Sequence, residues 1–208
     1  MDVVIAGAGA LGRVMCDFLL AYGHNVVGFL DDNERIIGGE VNSILVHSFD
    51  DTDSFVENES SFIVTVMDGK SREYIVKRLL SHDCRFLDFQ MQNCFFSPFS
   101  KIGKGCSFLT GAHVMNNAII GNFCHVHMFT IIGHDAVVGD FCSFTPHCVI
   151  GGGSRIGQGV SFGMGANVIP NITIGDYSII GAGTVVIRDV PANSIIFGNP
   201  GQIRGKRK

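Results

Sequence analysis

The sequence predicts two domains of different class, a small parallel α/β domain over residues 1–93 followed by a parallel β-helix over 94–208. Three observations carry this. From Ile102 to Val186 every sixth residue is Val, Ile or Phe, fifteen positions without a break. Ahead of that period, short apolar runs alternate with amphipathic ones in a strand–helix order, the signature of a parallel sheet. Gly, finally, makes up 27 of the 208 residues, where roughly 7% is usual, so the fold uses glycine repeatedly.

Taken in order, residues 3–7 (VVIAG) form a continuous apolar strand, Leu11–Tyr22 an amphipathic helix and Asn25–Leu30 a second strand. Residues 41–58 are acidic and read as a loop. Ser61–Val66 then reads as a strand, Lys70–His82 as a helix and Arg85–Phe89 as a strand, which completes a βαβ…βαβ alternation. The helix and strand periods give way to the six-residue period between Gln90 and Phe96, so the boundary is placed near residue 93.

In the second half, the residue four places after each bulky one is mostly small: Cys106, Ala112, Ala118, Cys124, Thr130 and so on. The residue directly after each bulky one is Gly in nine of fifteen cases. One bulky and one small side chain pointing inward per hexad, with glycine at tight corners, describes a solenoid of flat faces. With three faces, each coil is three hexads long, so 102–191 makes five coils, with a sixth starting at Phe96.

Gly7, Gly9 and Gly12 form G-x-G-x-x-G between the first strand and the first helix, and Asp31 and Asp32 close the next strand about twenty residues on. Glycines there let backbone approach phosphate, and the helix N-terminus favours negative charge. The domain is thus Rossmann-like, but only about 90 residues precede the repeat. A full dinucleotide fold needs two such halves. One nucleotide-sized ligand fits the space better than NAD(P), and a purely structural tight turn is the alternative. The net charge of −4 with charged residues at only 16% argues against a nucleic-acid partner. No apolar run approaches the roughly 18 residues of a membrane span, so a soluble, cytoplasmic protein with no membrane partner is expected. The seven cysteines are expected to be reduced thiols.

The six-residue pattern resembles the left-handed β-helix (hexapeptide-repeat solenoid) of the hexapeptide-repeat acyltransferases. With the Gly loop, the strand end Gly28-Phe29-Leu30-Asp31-Asp32, the segment Ile132-Gly133-His134-Asp135 and the closing Gly198-Asn199-Pro200, nearly the whole chain resembles the bacterial sugar acyltransferases of the PglD/NeuD group. The resemblance implies acetyl transfer from acetyl-CoA, as acyl donor, to the amino group of a nucleotide-linked amino sugar, such as a 4-amino-4,6-dideoxy sugar. O-acetylation of a sugar such as sialic acid is the alternative. It also implies a homotrimer with donor sites between neighbouring solenoids. For the acceptor it implies Gly9, Ala10, Asp31 and Asp32, with Asp68 and Lys70 as weaker candidates.

His134 matches the group's catalytic histidine, and neutral imidazole suits a base that takes the proton of an attacking nucleophile. Asp135 is the candidate to hold the other ring nitrogen. Adding 18 to 134 places Gly152, Pro170 and Arg188 in successive coils. A glycine beside the base leaves room for a thioester and exposes an N–H that could bind the carbonyl oxygen. Pro170 and Arg188 then follow the pantetheine arm, and Arg204, Lys206, Arg207 and Lys208 could approach its phosphates, although a solvated tail is the simpler reading of those last residues. The group's second histidine, nine residues after the first, is Ser143 here, so His127 or His147 would have to substitute or the acceptor would differ. Cys106, Cys124 and Cys142, spaced one coil apart, read as core filler rather than metal ligands, and no metal is expected.

Overall fold

The computed structural model describes residues 1–207. These divide into two compact units, Met1–Met67 with Ser71–Asp88, and Asp68–Lys70 with the chain from Phe89 onward.

The first unit is ordered β1 (Asp2–Ala6), α1 (Ala10–Ala21), β2 (Asn25–Leu30), β3 (Glu40–Val41), β4 (Ile44–His47), α2 (Thr52–Glu57), β5 (Ser61–Val64), α3 (Gly69–Leu80, whose first two residues group with the second unit) and β6 (Arg85–Phe86). Its sheet runs β3-β4-β2-β1-β5-β6, parallel except for the β3–β4 hairpin. β1 lies between β2 and β5, and Val3, Val4, Ile5 and Ala6 have no exposed surface. A parallel strand covered on both faces needs that continuous apolar run. Residues 41–58 are not the loop their acidity suggests. They hold β4, a 3₁₀ turn (Phe49–Asp51) and α2. Val46, Phe49 and Phe55 anchor the segment in the core. Asp50, Asp51 and Asp53 sit in first helical turns, where they complement the backbone dipole, and the Ser48 side chain caps the 3₁₀ turn by accepting from Asp50 N–H.

In the second unit, two-residue strands recur once per coil on each of three faces. One face begins at Phe89, the next at Phe95 and the third at Lys101, and each strand pairs in parallel with its counterpart in the next coil. The inward column Val114, Ile132, Ile150, Val168 and Val186 is at most 3% exposed. Only Ile102, near the open first coil, escapes burial among the fifteen bulky positions. Cys106, Cys124 and Cys142 point inward and donate to the carbonyls of Gly121, Gly139 and Gly157 at 3.2, 3.3 and 3.0 Å. The thiols therefore fill the small-residue column and satisfy corner carbonyls, and the seven cysteines form no disulfide.

Phe144 and Phe162 stack in successive coils, with centroids 4.8 Å apart and both rings buried. Truncating Phe144 to Ala leaves a void between rigid coils that collapse poorly. It is expected to cost about 3–5 kcal/mol, read as a lower Tm with no change in the ligand affinities.

The chain end is a strand rather than a solvated tail: Gln202–Lys206 pairs antiparallel with Ser194–Phe197. A sheet edge offers unpaired backbone groups that a returning segment satisfies. Lys208 lies outside the described residues.

Candidate active site

His134 and Asp135 occupy the corner that follows Ile131–Ile132. Asp135 has φ +56, a left-handed conformation that Asp tolerates better than most residues. The bend brings its carboxylate back to its neighbour, and His134 Nδ1 lies 2.8 Å from Asp135 Oδ2. Asn117, one coil earlier, donates its amide to Oδ1 at 3.1 Å. The hydrogen bond from His134, and then that from Asn117, hold the carboxyl below its ordinary range. It is therefore an ionised acceptor at neutral pH, and the proton on the His134–Asp135 bond belongs to Nδ1. Nε2 is left with its lone pair. The imidazole is 69% exposed, so a substrate can reach that atom.

Nε2 points along the solenoid toward Gly152. A Cβ at Gly152 would stand 2.5 Å from Nε2 and 2.6 Å from Cε1. The space opened by this glycine is thus taken by the imidazole itself, where the sequence alone suggests room for a thioester. Among the described residues the Gly152 N–H donates to no acceptor, while its carbonyl accepts from Asn171. Register confirms that the column continues from coil to coil: Ile132 pairs with Ile150, Ile150 with Val168 and Val168 with Val186. Gly152 and Pro170, two residues beyond Ile150 and Val168, follow His134 in line. After Val186 the coil is cut short, with Val190 paired to Ile174, so Arg188 falls outside the strict one-coil register, and both Pro170 and Arg188 are exposed. Arg188 comes two residues after Val186, which ends the third strand along from Ile131–Ile132. There it lines a cavity of about 320 Å³ with Asp189, Pro200, Gln202 and Ile203.

In the α/β unit, Gly7 has φ +111 and a Cβ at Gly12 would collide with the Gly7 carbonyl, so the tight strand-to-helix turn demands both glycines. Gly9 and Ala10 are exposed at the start of α1, whose first turn carries no acidic side chain. Its amides are open to an anion. Asp31 braces this loop: Oδ2 accepts from Ala8 N–H at 2.8 Å and Oδ1 from Asn33 N–H at 2.9 Å. Asp32 is more exposed and receives Arg78 Nη1 at 2.8 Å. Arg78 also bridges to Asp50 and lies over the Phe49 ring. Sequence pattern does not reveal Arg78, which comes to Asp32 from 46 positions away.

Asp68 and Lys70 belong to the solenoid unit. Asp68 pairs with Arg207, and Lys70 Nζ sits 5.4 Å from the Tyr177 ring centroid. Arg207 is thereby committed to Asp68 rather than open to a phosphate, whereas Arg204 and Lys206 are exposed. Ser143 is fully buried and paired in register with His125. His147 has φ +63 and stacks on Phe129 at 5.3 Å. His127 and His147 lie at the corner on the other side of Ile131–Ile132 from His134. Among the described residues no three His, Cys, Asp or Glu side chains are placed to hold a metal ion.

Comparison with known proteins accounts for both units. The PglD N-terminal domain family matches residues 2–79, and bacterial transferase hexapeptide repeats match 117–152 and 153–188. The chain belongs to the PglD-type hexapeptide-repeat acyltransferases. Its parallel solenoid is accordingly the left-handed β-helix of that family. The crystal structure of PerB from Caulobacter crescentus, in complex with CoA and GDP-perosamine, is 27% identical with a TM-score of 0.89, over 99% of this chain and 98% of that one. The acetyltransferase domain of PglB from Neisseria gonorrhoeae is 25% identical with a TM-score of 0.85, over 97% and 98%. A serine acetyltransferase of Synechococcus elongatus is 38% identical over 131 residues, 62% of this chain. The chain spans about half the length of that relative (48%), and less of the other curated relatives.

Proposed function

We propose that this PglD-type protein transfers the acetyl group of acetyl-CoA to the amino group of a nucleotide-linked amino sugar, a 4-amino-4,6-dideoxy sugar being the expected acceptor. The observation that carries the reading is the His134–Asp135 pair laid over Gly152. Asp135 holds the Nδ1 proton, so Nε2 is the base. As the neutral amine attacks the thioester carbonyl, Nε2 takes its proton. The imidazolium, stabilised by Asp135, then returns that proton to the departing CoA sulfur. Gly152 N–H is the donor for the carbonyl oxygen as negative charge builds on it. The thioester lies beside His134, the arm follows Gly152 and Pro170, and the nucleotide end of CoA reaches Arg188 and the cavity beside it. PerB, bound to CoA and GDP-perosamine, supports this choice of donor and acceptor class.

The acceptor nucleotide is assigned to the α/β unit, its phosphates on the amides at Gly9 and Ala10, with Asp31 bracing the loop and Asp32 at its rim. Asp68 and Lys70, held by Arg207 and Tyr177, are weaker candidates. Asp32→Ala is expected to raise KM for the nucleotide sugar about three- to tenfold with KM for acetyl-CoA unchanged. An effect confined to acetyl-CoA would misplace the acceptor. Working with acetyl-CoA in the cytoplasm, the protein is assigned as a homotrimer. Phe95, Ile131 and Val149 line one solenoid face and remain exposed on the single chain, as a face covered by further copies would. Among the described residues no helix is long and apolar enough to cross a membrane.

Transfer of acetyl from acetyl-CoA to a panel of UDP-, dTDP- and GDP-linked 4-amino sugars, followed by thiol release, tests the reading. An amide product, stable to hydroxylamine, supports it. An ester product would assign O-acetylation instead.

A further inference from the structure

We propose that Asn117 is a positioning residue, which fixes the plane of the Asp135 carboxylate and through it the proton and orientation of the His134 ring. This rests on His134 as the base. The bond from Asn117 crosses from one coil to the next: its Nδ2 donates to Asp135 Oδ1 at 3.1 Å while Oδ2 faces His134 Nδ1 at 2.8 Å. Both oxygens are therefore used, on opposite sides of the same carboxylate.

The arrangement follows from the register. Asn117 and Asp135 stand one coil apart at the same corner, with φ +55 and +56. The Asp135 N–H donates to the Asn116 carbonyl at 2.9 Å, which locks one corner onto the other. The next residue of the column, Gly153, has no side chain to offer the carboxylate, so the only side chain stacked on Asp135 in this column is that of Asn117.

A fixed anchor matters because Asp135 is exposed. An exposed carboxylate held by a single hydrogen bond rotates and exchanges its partner for water. With Oδ1 anchored, Oδ2 stays on Nδ1 and the proton stays there, so Nε2 keeps its lone pair. With the anchor lost, the Nε2–H form of imidazole, which has no lone pair where the substrate binds, gains population. The depressed titration of Asp135, to which Asn117 contributes after His134, agrees with this geometry.

Two substitutions separate the hydrogen bond from the shape of the corner. Asn117→Gly removes the amide and suits the positive φ. Asn117→Asp keeps the shape but replaces the donor with a second negative charge. Nitrogen-15 NMR of the His134 ring in the unliganded protein reports the tautomer directly, and steady-state rates with the amino-sugar acceptor report its consequence. Asn117→Gly is expected to increase the Nε2–H form and to lower kcat about three- to tenfold, with KM for acetyl-CoA unchanged. Asn117→Asp is expected to lower kcat further and to shift the acid limb of the rate profile, because two carboxylates in contact raise one another's pKa and raise that of the imidazole.

An unchanged His134 tautomer in Asn117→Gly, or an Asn117→Asp variant with wild-type rates and pH profile, would overturn the proposal. A tautomer shift in a protein that acetylates no amino sugar would instead uphold the positioning role and refute the reaction.

Discussion

His134→Ala is expected to lower kcat by about two to four orders of magnitude while the Kd for acetyl-CoA stays within about twofold. The asymmetry follows from the geometry. In the proposed mechanism the ring contributes a lone pair at Nε2 to the proton transfer, whereas donor contacts are assigned along Gly152, Pro170, Arg188 and the cavity that Arg188 lines. The pH dependence has the same origin. The bonds from His134 and Asn117 hold the Asp135 carboxyl below its ordinary range, so the carboxylate stays charged on mild acidification. The acid limb of kcat is then a single protonation that silences Nε2. In His134→Ala that limb is expected to disappear along with most of the rate. Steady-state rates across pH, with calorimetric titration of acetyl-CoA, check both parts. Loss of donor affinity in proportion to rate would show that His134 serves the donor site instead.

The second large effect is expected at Gly152. A Cβ there falls within 3.0 Å of three ring atoms of His134, so even Gly152→Ala has to displace that ring. Its backbone lies outside the left-handed region, so alanine adds no backbone strain. The expected result is a folded protein with kcat reduced about a hundredfold, the loss typical of a catalytic group moved by about an ångström. Gly152→Val, with branches reaching over the donor path, is expected to abolish acetyl-CoA binding as well. Thermal melting, titration and rates on the two variants separate these steps. A Gly152→Ala protein with wild-type kcat would mean that the imidazole works from a different position.

Much of the active corner is legible in the sequence because a solenoid converts sequence distance into space. The apolar column Ile132, Ile150, Val168, Val186 sets the register, and counting one coil at a time from His134 finds Gly152 and Pro170 without any tertiary information, whereas the coil that holds Arg188 is cut short, with Val190 paired to Ile174. The same count in the other direction, from Asp135, arrives at Asn117. That residue escapes notice because an exposed Asn at a corner looks like a turn residue. The start of the solenoid is hidden for a different reason. The position paired with Phe108 in the first coil is Gln90, which is exposed and so needs no apolar side chain, and the six-residue period fades before the coils do. Contacts between distant segments, Arg78 with Asp32 and Arg207 with Asp68, carry no periodic signal. Neither does the direction of a side chain: the sequence shows that a glycine follows the base by one coil, but not that the imidazole lies over it.

In the proposed function the His134–Asp135 corner drives acetyl transfer from acetyl-CoA to a sugar amine. The measurement that tests it most directly is CoA thiol release by the wild-type protein and His134→Ala with the panel of nucleotide-linked 4-amino sugars, with mass analysis of the product. The wild type is expected to release one CoA per amide formed, with the rate all but lost in His134→Ala. Wild-type protein that binds acetyl-CoA but releases no thiol with any amino sugar, or a His134→Ala protein that turns over at the wild-type rate, would contradict it.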